Sequence, residues 1–237
     1  MGAVPGRTLV WHIWSPPDVE ASEDFPATAH GGPVTHSPVN QPIAEPSVID
    51  KQVLRTELRQ RRRDHVAAIP AMQRGLLFRR PPEAIARLIP DGAIIGVYHE
   101  MPDEAPAGHY ARWFYERGHR IALPWFADRA APMQFREWSN PFVDDLLEPD
   151  PFKSRQPLGD RPALTPTVLF CPLLGFTAGG DRLGLGAGHY DRWLADNPAE
   201  LAIGLAWDCQ LVDELPIEAH DRPLDAIITP TRLYGPF

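Results

Sequence analysis

The sequence predicts an α/β protein in which a mainly parallel sheet carries helices on both faces, giving three layers in a single domain. Four near-continuous apolar runs support a sheet buried on both faces, at residues 93–98, 167–174, 201–207 and 225–229. Segments with helical character lie between these runs, and such alternation of strand and helix favours parallel pairing. The chain has 237 residues, which suits one α/β domain with a sizeable core.

Residues 1–46 differ in composition from the rest of the chain. Prolines interrupt every candidate helix there, and no sustained hydrophobic period appears. We therefore predict a Pro-rich, largely disordered N-terminal extension, followed by one folded domain over residues 47–237.

The folded domain is predicted to begin with a helix over residues 47–68, for which Ser47 is a candidate N-cap. Basic residues recur along it at helical spacing, namely Lys51, Arg55, Arg59 and Arg62. Such a stripe is commonly a solvated face, and its spacing alone leaves open whether it binds a ligand.

A β-α-β unit is predicted after a second helix over residues 71–80. It comprises a strand at 93–98, a helix at about 105–117, and a strand that stops at Leu123 before a proline. Ligands of such sheets bind outside the carboxyl ends of the strands, where residues 99–104 would lie.

A strand at residues 133–138 leads into a long connection, residues 140–164, that is rich in proline and acidic residues. Long loops inside compact domains are commonly functional, so this connection is a candidate lid over a ligand. Phe142 and Phe152 are equally good candidates for simple hydrophobic anchors.

The chain is organised around residues 181–194, which contain three glycines at alternate positions, Gly184, Gly186 and Gly188. Backbone N–H groups without side-chain walls can close on a bulky anion, and a helix predicted over about 188–195 points its positive end there. Arg182 and Arg192 bracket the segment with positive charge, and Asp191 is placed to hold a magnesium ion that bridges phosphate oxygens. The segment therefore predicts a phosphate cradle.

Two familiar glycine motifs do not fit this segment. A dinucleotide-binding fingerprint needs Gly-x-Gly-x-x-Gly directly after a strand, whereas the nearest apolar run ends about ten residues earlier. A P-loop needs Gly-Lys-Ser or Gly-Lys-Thr after its last glycine, and neither follows Gly188. A purely structural glycine-rich turn stays open as an alternative.

The string Arg-Leu-Gly-x-Gly-x-Gly-x-Tyr-Asp-Arg at residues 182–192 resembles the signature of the 5-formyltetrahydrofolate cyclo-ligase family. Other pieces are similar to family motifs and follow in the same order: Lys-x-x-Leu-Arg at 51–55, an acidic loop at 98–104, and a late acidic motif at 215–221 before 225–229. The resemblance covers about residue 47 to the C-terminus, and implies a cyclo-ligase-like catalytic domain over 47–237.

The resemblance implies a nucleotide site and a folate site that share the glycine segment. It assigns ATP to Lys51, Gln52, Val53, Leu54, Arg55, Arg182, Leu183, Gly184, Leu185, Gly186, Ala187, Gly188, His189 and Tyr190. Folate binding is assigned to His99 and Glu104 with residues 185–189, magnesium to Asp191 and Asp221, and catalysis to Lys51, Arg55, Arg182 and Asp191. Local sequence alone fits Glu104 equally well as a helix N-terminal acid, and Asp221 as part of a capped turn.

The family's reaction is the ATP- and Mg²⁺-dependent cyclisation of 5-formyltetrahydrofolate to 5,10-methenyltetrahydrofolate, with release of ADP and phosphate. We expect this activity here, with ATP as co-substrate. A catalytically inactive nucleotide- and folate-binding regulatory member is an alternative, favoured by Leu185 and His189, which depart from the residues common in the family. A second alternative is a metal-dependent hydrolase that uses His189, Asp191, His220 and Asp221.

The imidazole of His189 stands where the family usually carries a tyrosine. Such a ring can stack on a flat pterin and donate one hydrogen bond. Beside a phosphate its charged form would be favoured, so we expect the pKa of His189 to be raised.

Charge and cysteine content indicate which classes of partner and which compartment suit this chain. The net charge of −8 argues against a general nucleic-acid or anionic-membrane binder. The two cysteines are too few for a disulfide framework and lack metal-ligand spacing, so a reduced cytoplasmic setting is the simplest. The sequence shows neither a membrane span nor a secretory signal. We expect a monomeric cytoplasmic enzyme with a small-molecule substrate.

Overall fold

A seven-stranded sheet forms the centre of the computed structural model, which describes residues 50–218 and 221–237. In chain order the strands are β1 (Ile94–Gly96), β2 (Arg120–Trp125), β3 (Gln134–Glu137), β4 (Leu147–Pro149), β5 (Arg155–Pro157), β6 (Val168–Pro172), β7 (Gly175–Phe176), β8 (Arg182–Leu183), β9 (Leu201–Leu205), β10 (Ala226–Ile228) and β11 (Leu233–Tyr234). The helices are α1 (Lys51–Ala68), α2 (Ala71–Arg74), α3 (Glu83–Ala86), α4 (Gly108–Tyr115) and α5 (His189–Asp196), with 3₁₀ turns at Asp144–Leu146 and Asp208–Gln210.

The strand order of the sheet is β11-β10-β9-β6-β1-β2-β3. The five inner strands are parallel to their inner neighbours, whereas the edge strands β3 and β11 run antiparallel. The prediction of a mainly parallel sheet is confirmed. The edge strand β11 was not predicted, because two residues are too short a run to show a hydrophobic period.

Side chains of successive strand residues enter two different hydrophobic clusters, as the pleat of a strand requires. On β6, Val168 and Phe170 belong to the first cluster, while Leu169 and Cys171 belong to the second. Residues of α1, α3 and α4 complete the first cluster, and residues of α5 complete the second. Helices therefore cover both faces, and the predicted three-layer arrangement is confirmed.

Several predicted helix boundaries were wrong. Helix α1 begins after Asp50, whose carboxylate accepts a hydrogen bond from the Gln52 N–H at 2.7 Å. The candidate N-cap Ser47 and the predicted N-terminal extension lie outside the described residues. The second helix is short and ends at Arg74. An unpredicted short helix, α3, begins after Pro82.

The predicted β-α-β unit is present with shifted limits. Helix α4 spans Gly108–Tyr115, where 105–117 was predicted. Strand β2 does not stop at Leu123 but continues through Pro124, which lies opposite Phe135 of β3. A proline is tolerated there because β1 pairs with β2 only as far as Ala122, so Pro124 has a strand neighbour on one side only.

The long connection at residues 140–164 contains regular structure that was not predicted. Strands β4 and β5 form an antiparallel hairpin within it. The Asp150 carboxylate closes the hairpin by accepting hydrogen bonds from the N–H groups of Phe152 (2.8 Å) and Ser154 (2.7 Å). Each strand has only three residues and contains a proline, so no strand period was visible in the sequence.

No helix within residues 50–218 and 221–237 combines the length and apolar character needed to cross a bilayer. Both cysteines, Cys171 and Cys209, are free. Burial raises the pKa of the Cys171 thiol to about 12, so this side chain behaves as a core residue.

Candidate active site

A cavity of about 250 Å³ opens at the carboxyl ends of β1, β2 and β6. Its lining includes His99 and Glu104, which the resemblance assigns to folate, together with most of residues 184–191. Arg182 lines the same cavity. The fold therefore brings the acidic loop after β1 and the glycine segment, which are distant in sequence, around one space.

The glycine segment needs glycine at two positions for different local reasons. Gly186 has φ +109°, and a Cβ there would lie 3.3 Å from Arg55 Nε. Gly188 has φ +63° at the start of α5, and a Cβ there would lie 3.1 Å from a terminal nitrogen of Arg192. Gly184 differs, because a Cβ there would meet nothing within 4 Å. The open backbone therefore makes room for two arginines.

We expect Gly186→Ala to destabilise the protein and to weaken nucleotide binding. The left-handed backbone costs an L-residue about 1–2 kcal/mol, and the added methyl group would push against Arg55. Urea unfolding and ATP titration of Gly186→Ala, with Gly184→Ala as the matched control, measure both effects. Equal stability and ATP affinity in the two variants would show that the conformation of this turn does not matter.

The basic stripe of α1 faces the glycine segment. Arg55 Nε donates a hydrogen bond to the Gly184 carbonyl at 3.2 Å, and Arg59 donates one to the Leu185 carbonyl at 3.0 Å. Lys51 Nζ lies 2.9 Å from carboxylate oxygens at the late acidic motif. The interpretation of the stripe as a solvated face is therefore wrong for these three side chains.

The remaining residues of the Lys-x-x-Leu-Arg element contribute less to the site. Gln52 and Val53 are exposed, and Leu54 packs beside a small apolar cluster that contains Leu58 and Leu183. Leu183, which was also assigned to ATP, is thus a core residue whose side chain anchors the start of the glycine segment.

Arg182 and Asp191 form a partly buried ion pair beside the cavity. The Arg182 side chain is only 3% exposed, and its second terminal nitrogen donates to the Arg222 carbonyl at 2.9 Å. The Arg222 N–H in turn lies 3.5 Å from the Asp191 carboxylate. Asp191 therefore lies next to the segment that carries Asp221, so the two carboxylates assigned to magnesium are on adjacent segments.

The donor set around Asp191 suits a magnesium–nucleotide complex. In the described part of the chain, no group of three or more His, Cys, Asp or Glu side chains could hold a metal ion. Magnesium at nucleotide sites takes one or two carboxylates and completes its shell with phosphate oxygens and water. Asp191 and Asp221 match that requirement. His220, which the hydrolase alternative needs, lies outside the described residues.

The ring of His189 packs against two phenylalanines on the cavity wall, which also contact each other. Its centroid is 4.9 Å from that of Phe126 and 5.2 Å from that of Phe152. An Arg192 terminal nitrogen lies 3.2 Å from Nδ1, and a guanidinium can only donate, so the ring proton is on Nε2. Nε2 is buried and has no hydrogen-bond partner among the residues described. A ligand acceptor would satisfy it.

The expected rise in the His189 pKa beside a bound phosphate stays a prediction. Burial lowers the pKa of this imidazole, and the neighbouring Arg192 charge lowers it further. Both effects favour the neutral form of the imidazole.

Glu104 is the last residue of the acidic loop and is 6% exposed. Its Oε2 accepts a hydrogen bond from the Met101 N–H at 2.9 Å. The interpretation of Glu104 as a helix N-terminal acid was wrong, because α4 begins at Gly108. The Gly108 N–H donates its hydrogen bond to the Glu100 carboxylate, at 3.2 Å. Burial raises the pKa of Glu104, opposed by the Met101 hydrogen bond and by the charge of Arg62.

The hairpin β4–β5 also reaches the cavity. Ser154 Oγ donates a hydrogen bond to the His99 carbonyl at 2.7 Å, and Phe152 lines the cavity. The candidate lid thus contacts the acidic loop through Ser154. Phe142, by contrast, is 53% exposed and packs near Tyr115.

Sequence reasoning missed Phe126 in the aromatic wall of the cavity and the contacts that hold the acidic loop. Phe126 follows β2 directly, and that position alone could have indicated it. The missed residues are Asp103, Phe126, Met133, Ser154 and Arg155.

The fold and the site define a class of protein. It is an α/β protein in which a glycine-rich turn and a buried carboxylate line one cavity. This chain belongs to the 5-formyltetrahydrofolate cyclo-ligase family, whose family model matches residues 48–230.

Individual relatives agree with the family match. The 5-formyltetrahydrofolate cyclo-ligase of Escherichia coli K12 is 45% identical over 69 residues, which cover 28% of this chain and 38% of the relative. The protein of that name from Mus musculus is 26% identical over 190 residues, which cover 75% of this chain and 92% of the relative.

Two solved structures share the fold. The 5,10-methenyltetrahydrofolate synthetase of Aquifex aeolicus has a TM-score of 0.60 at 21% identity, covering 78% of this chain and 92% of that one. The synthetase of Mycoplasma pneumoniae has a TM-score of 0.53 at 22% identity, covering 76% of this chain and 98% of that one.

Proposed function

We propose that this protein cyclises 5-formyltetrahydrofolate to 5,10-methenyltetrahydrofolate, with consumption of ATP and release of ADP and phosphate. The observation that carries the proposal is the cavity shared by Glu104 and the glycine segment, with Arg55 of α1 bonded to that segment. The arrangement would place a folate ring and a phosphate chain in contact. We further propose that the enzyme acts as a cytoplasmic monomer.

The chemistry requires an activated formyl group. A formamide oxygen is a poor leaving group, so the γ-phosphoryl group of ATP is first transferred to that oxygen, which leaves ADP. N10 of the folate then attacks the formyl carbon and closes the five-membered ring. The N10 proton is lost and the carbon–oxygen bond breaks, so that oxygen departs within inorganic phosphate. No protein nucleophile is needed, and catalysis consists of positioning and charge neutralisation.

The nucleotide half of the site supplies positive charge and backbone donors. Lys51, Arg55 and Arg182 would neutralise the phosphates, and the glycine-turn N–H groups would bind their oxygens. Asp191 and Asp221 would hold Mg²⁺, which neutralises charge on the phosphoryl oxygens when bound. Lys51 would exchange its present carboxylate partners for phosphate oxygens.

In the proposed folate half of the site, aromatic rings and polar side chains line the same cavity. Phe126 and Phe152 give apolar faces beside His189, whose Nε2–H offers a donor. The buried Glu104 carboxylate would accept from the amino and ring N–H groups of the pterin, and His99 lines the mouth. A pterin would suit such a lining because it is flat and carries both donors and acceptors at its edge.

A coupled assay tests the proposal against its alternatives. Formation of the methenyl product and of ADP in equal amounts, only when both ATP and 5-formyltetrahydrofolate are present, is the expected result. Binding of both ligands without ADP formation would instead support the inactive regulatory member. Turnover without ATP would support the hydrolase.

A further inference from the structure

Arg62 is the one member of the basic stripe that points into the protein interior. Its side chain is only 3% exposed, and two of its nitrogens lie 3.0 and 3.1 Å from Asp103 Oδ2. The third nitrogen donates to the carbonyl of Leu173, the residue after β6, at 3.3 Å. A buried guanidinium in contact with the folate cavity's acidic loop is not explained by phosphate binding.

The same guanidinium lies beside the carboxylate that we assign to folate. Arg62 is 3.8 Å from Glu104 Oε1, a distance too long for a hydrogen bond. Arg62 therefore acts on Oε1 through its charge and leaves the lone pairs of that oxygen available to a ligand. Glu104 Oε2 is already used by the Met101 N–H.

The other charged groups around Glu104 disfavour its ionised form. Asp103 and Glu100 are acidic and belong to the same loop, and both raise the pKa of Glu104 in addition to the effect of burial. Two buried phenols, Tyr98 and Tyr190, also lie near Glu104, which is one cause of their raised pKa values. Among these neighbours, Arg62 is the cation that offsets the burial of the carboxylate.

We propose that Arg62 is a positioning residue that keeps Glu104 ionised and holds the acidic loop in place for the folate ring. This inference rests on the proposed function for its ligand. An ionised Glu104 accepts from the N–H groups at a pterin edge, whereas a protonated carboxyl would present a competing donor. Helix α1 would then position both halves of the site, through Arg55 on the nucleotide side and Arg62 on the folate side.

Arg62→Met tests the charge, because methionine fills similar space without a cation. Loss of the cation would favour the protonated carboxyl, so folate binding should weaken at neutral pH and recover as pH rises. Folate affinity should fall about tenfold for each unit by which the pH of the assay is below the pKa of Glu104 in the variant. ATP affinity, measured in the same protein, should stay near that of the wild type.

Three controls separate this role from a merely structural one. Arg62→Lys keeps the charge and should restore the wild-type pH profile, and Glu104→Gln should bind folate weakly at every pH. The double variant Arg62→Met, Glu104→Gln should bind folate no more weakly than Glu104→Gln alone. A pH-independent loss in Arg62→Met, or the same loss on the Glu104→Gln background, would overturn the inference.

A direct measurement on the wild-type protein needs neither a variant nor a ligand. The ¹³C shift of the Glu104 side-chain carboxyl should show the ionised form at neutral pH. A protonated Glu104 would overturn the inference even if Arg62 variants fail to fold. Absence of ATP-dependent cyclisation with an ionised Glu104 would instead count against the proposed function, so the two failures are distinguishable.

Discussion

Asp191→Asn is expected to lower turnover by more than about 100-fold, which exceeds the usual cost of losing a residue that only supports a metal ligand. The substitution keeps the size of the side chain and an oxygen that can accept from Arg182. It removes the charge that a hard cation such as Mg²⁺ prefers. Steady-state rates over a series of Mg²⁺ concentrations measure the effect, and excess Mg²⁺ should recover only part of the activity.

The structure also predicts a loss of stability in this variant. Asp191 is the charge partner of the buried Arg182, so the asparagine leaves that cation only partly compensated. Urea unfolding separates this effect from catalysis. Asp196→Asn is the matched control, since Asp196 is an exposed residue at the end of the same helix. Near-normal activity of Asp191→Asn at low Mg²⁺ would make Asp191 a purely structural partner of Arg182.

Lys51→Ala is expected to weaken the binding of ATP far more than the binding of folate. A lysine that contacts phosphate contributes about 1–3 kcal/mol, which corresponds to roughly 5- to 150-fold in affinity. The side chain is 17% exposed at the first turn of α1, so it is already held near the site. Separate titrations with ATP and with 5-formyltetrahydrofolate measure the difference.

The Lys51 result needs a control for the general loss of one positive charge. Arg63→Ala removes a cation from the exposed side of the same helix and should leave both affinities unchanged. If Lys51→Ala weakens ATP and folate equally, or neither, Lys51 acts by tethering the late acidic motif and not by binding phosphate.

The fold was predictable because its central strands are buried on both faces and therefore appear as apolar runs. The runs 93–98, 167–174, 201–207 and 225–229 each contain a strand of the sheet. The hairpin in the long connection and strand β11 were not predictable, since their strands have only two or three residues. Such short strands form because tertiary neighbours pair with them, and not through their own sequence pattern.

The candidate site was predictable where one motif carries its own chemistry. Glycines and charged residues within residues 181–194 indicated an anion site by themselves. Side-chain direction was not predictable: Arg55 faces the glycine turn, whereas Arg62, two turns later on α1, points into the interior. Helical spacing gives the face of a helix, but only the packed structure shows which loops lie against that face.

Following the formyl oxygen into phosphate is the most direct test of the central claim, which is that one site binds both the folate and the nucleotide. We expect ¹⁸O in the formyl group of 5-formyltetrahydrofolate to appear in inorganic phosphate, with one labelled phosphate for each methenyl product formed. That transfer requires the folate oxygen and the γ-phosphoryl group to meet in one site, as the cavity at Glu104 and the glycine turn would allow. Product formation with all of the ¹⁸O in water and none in phosphate would contradict the proposed phosphoryl transfer.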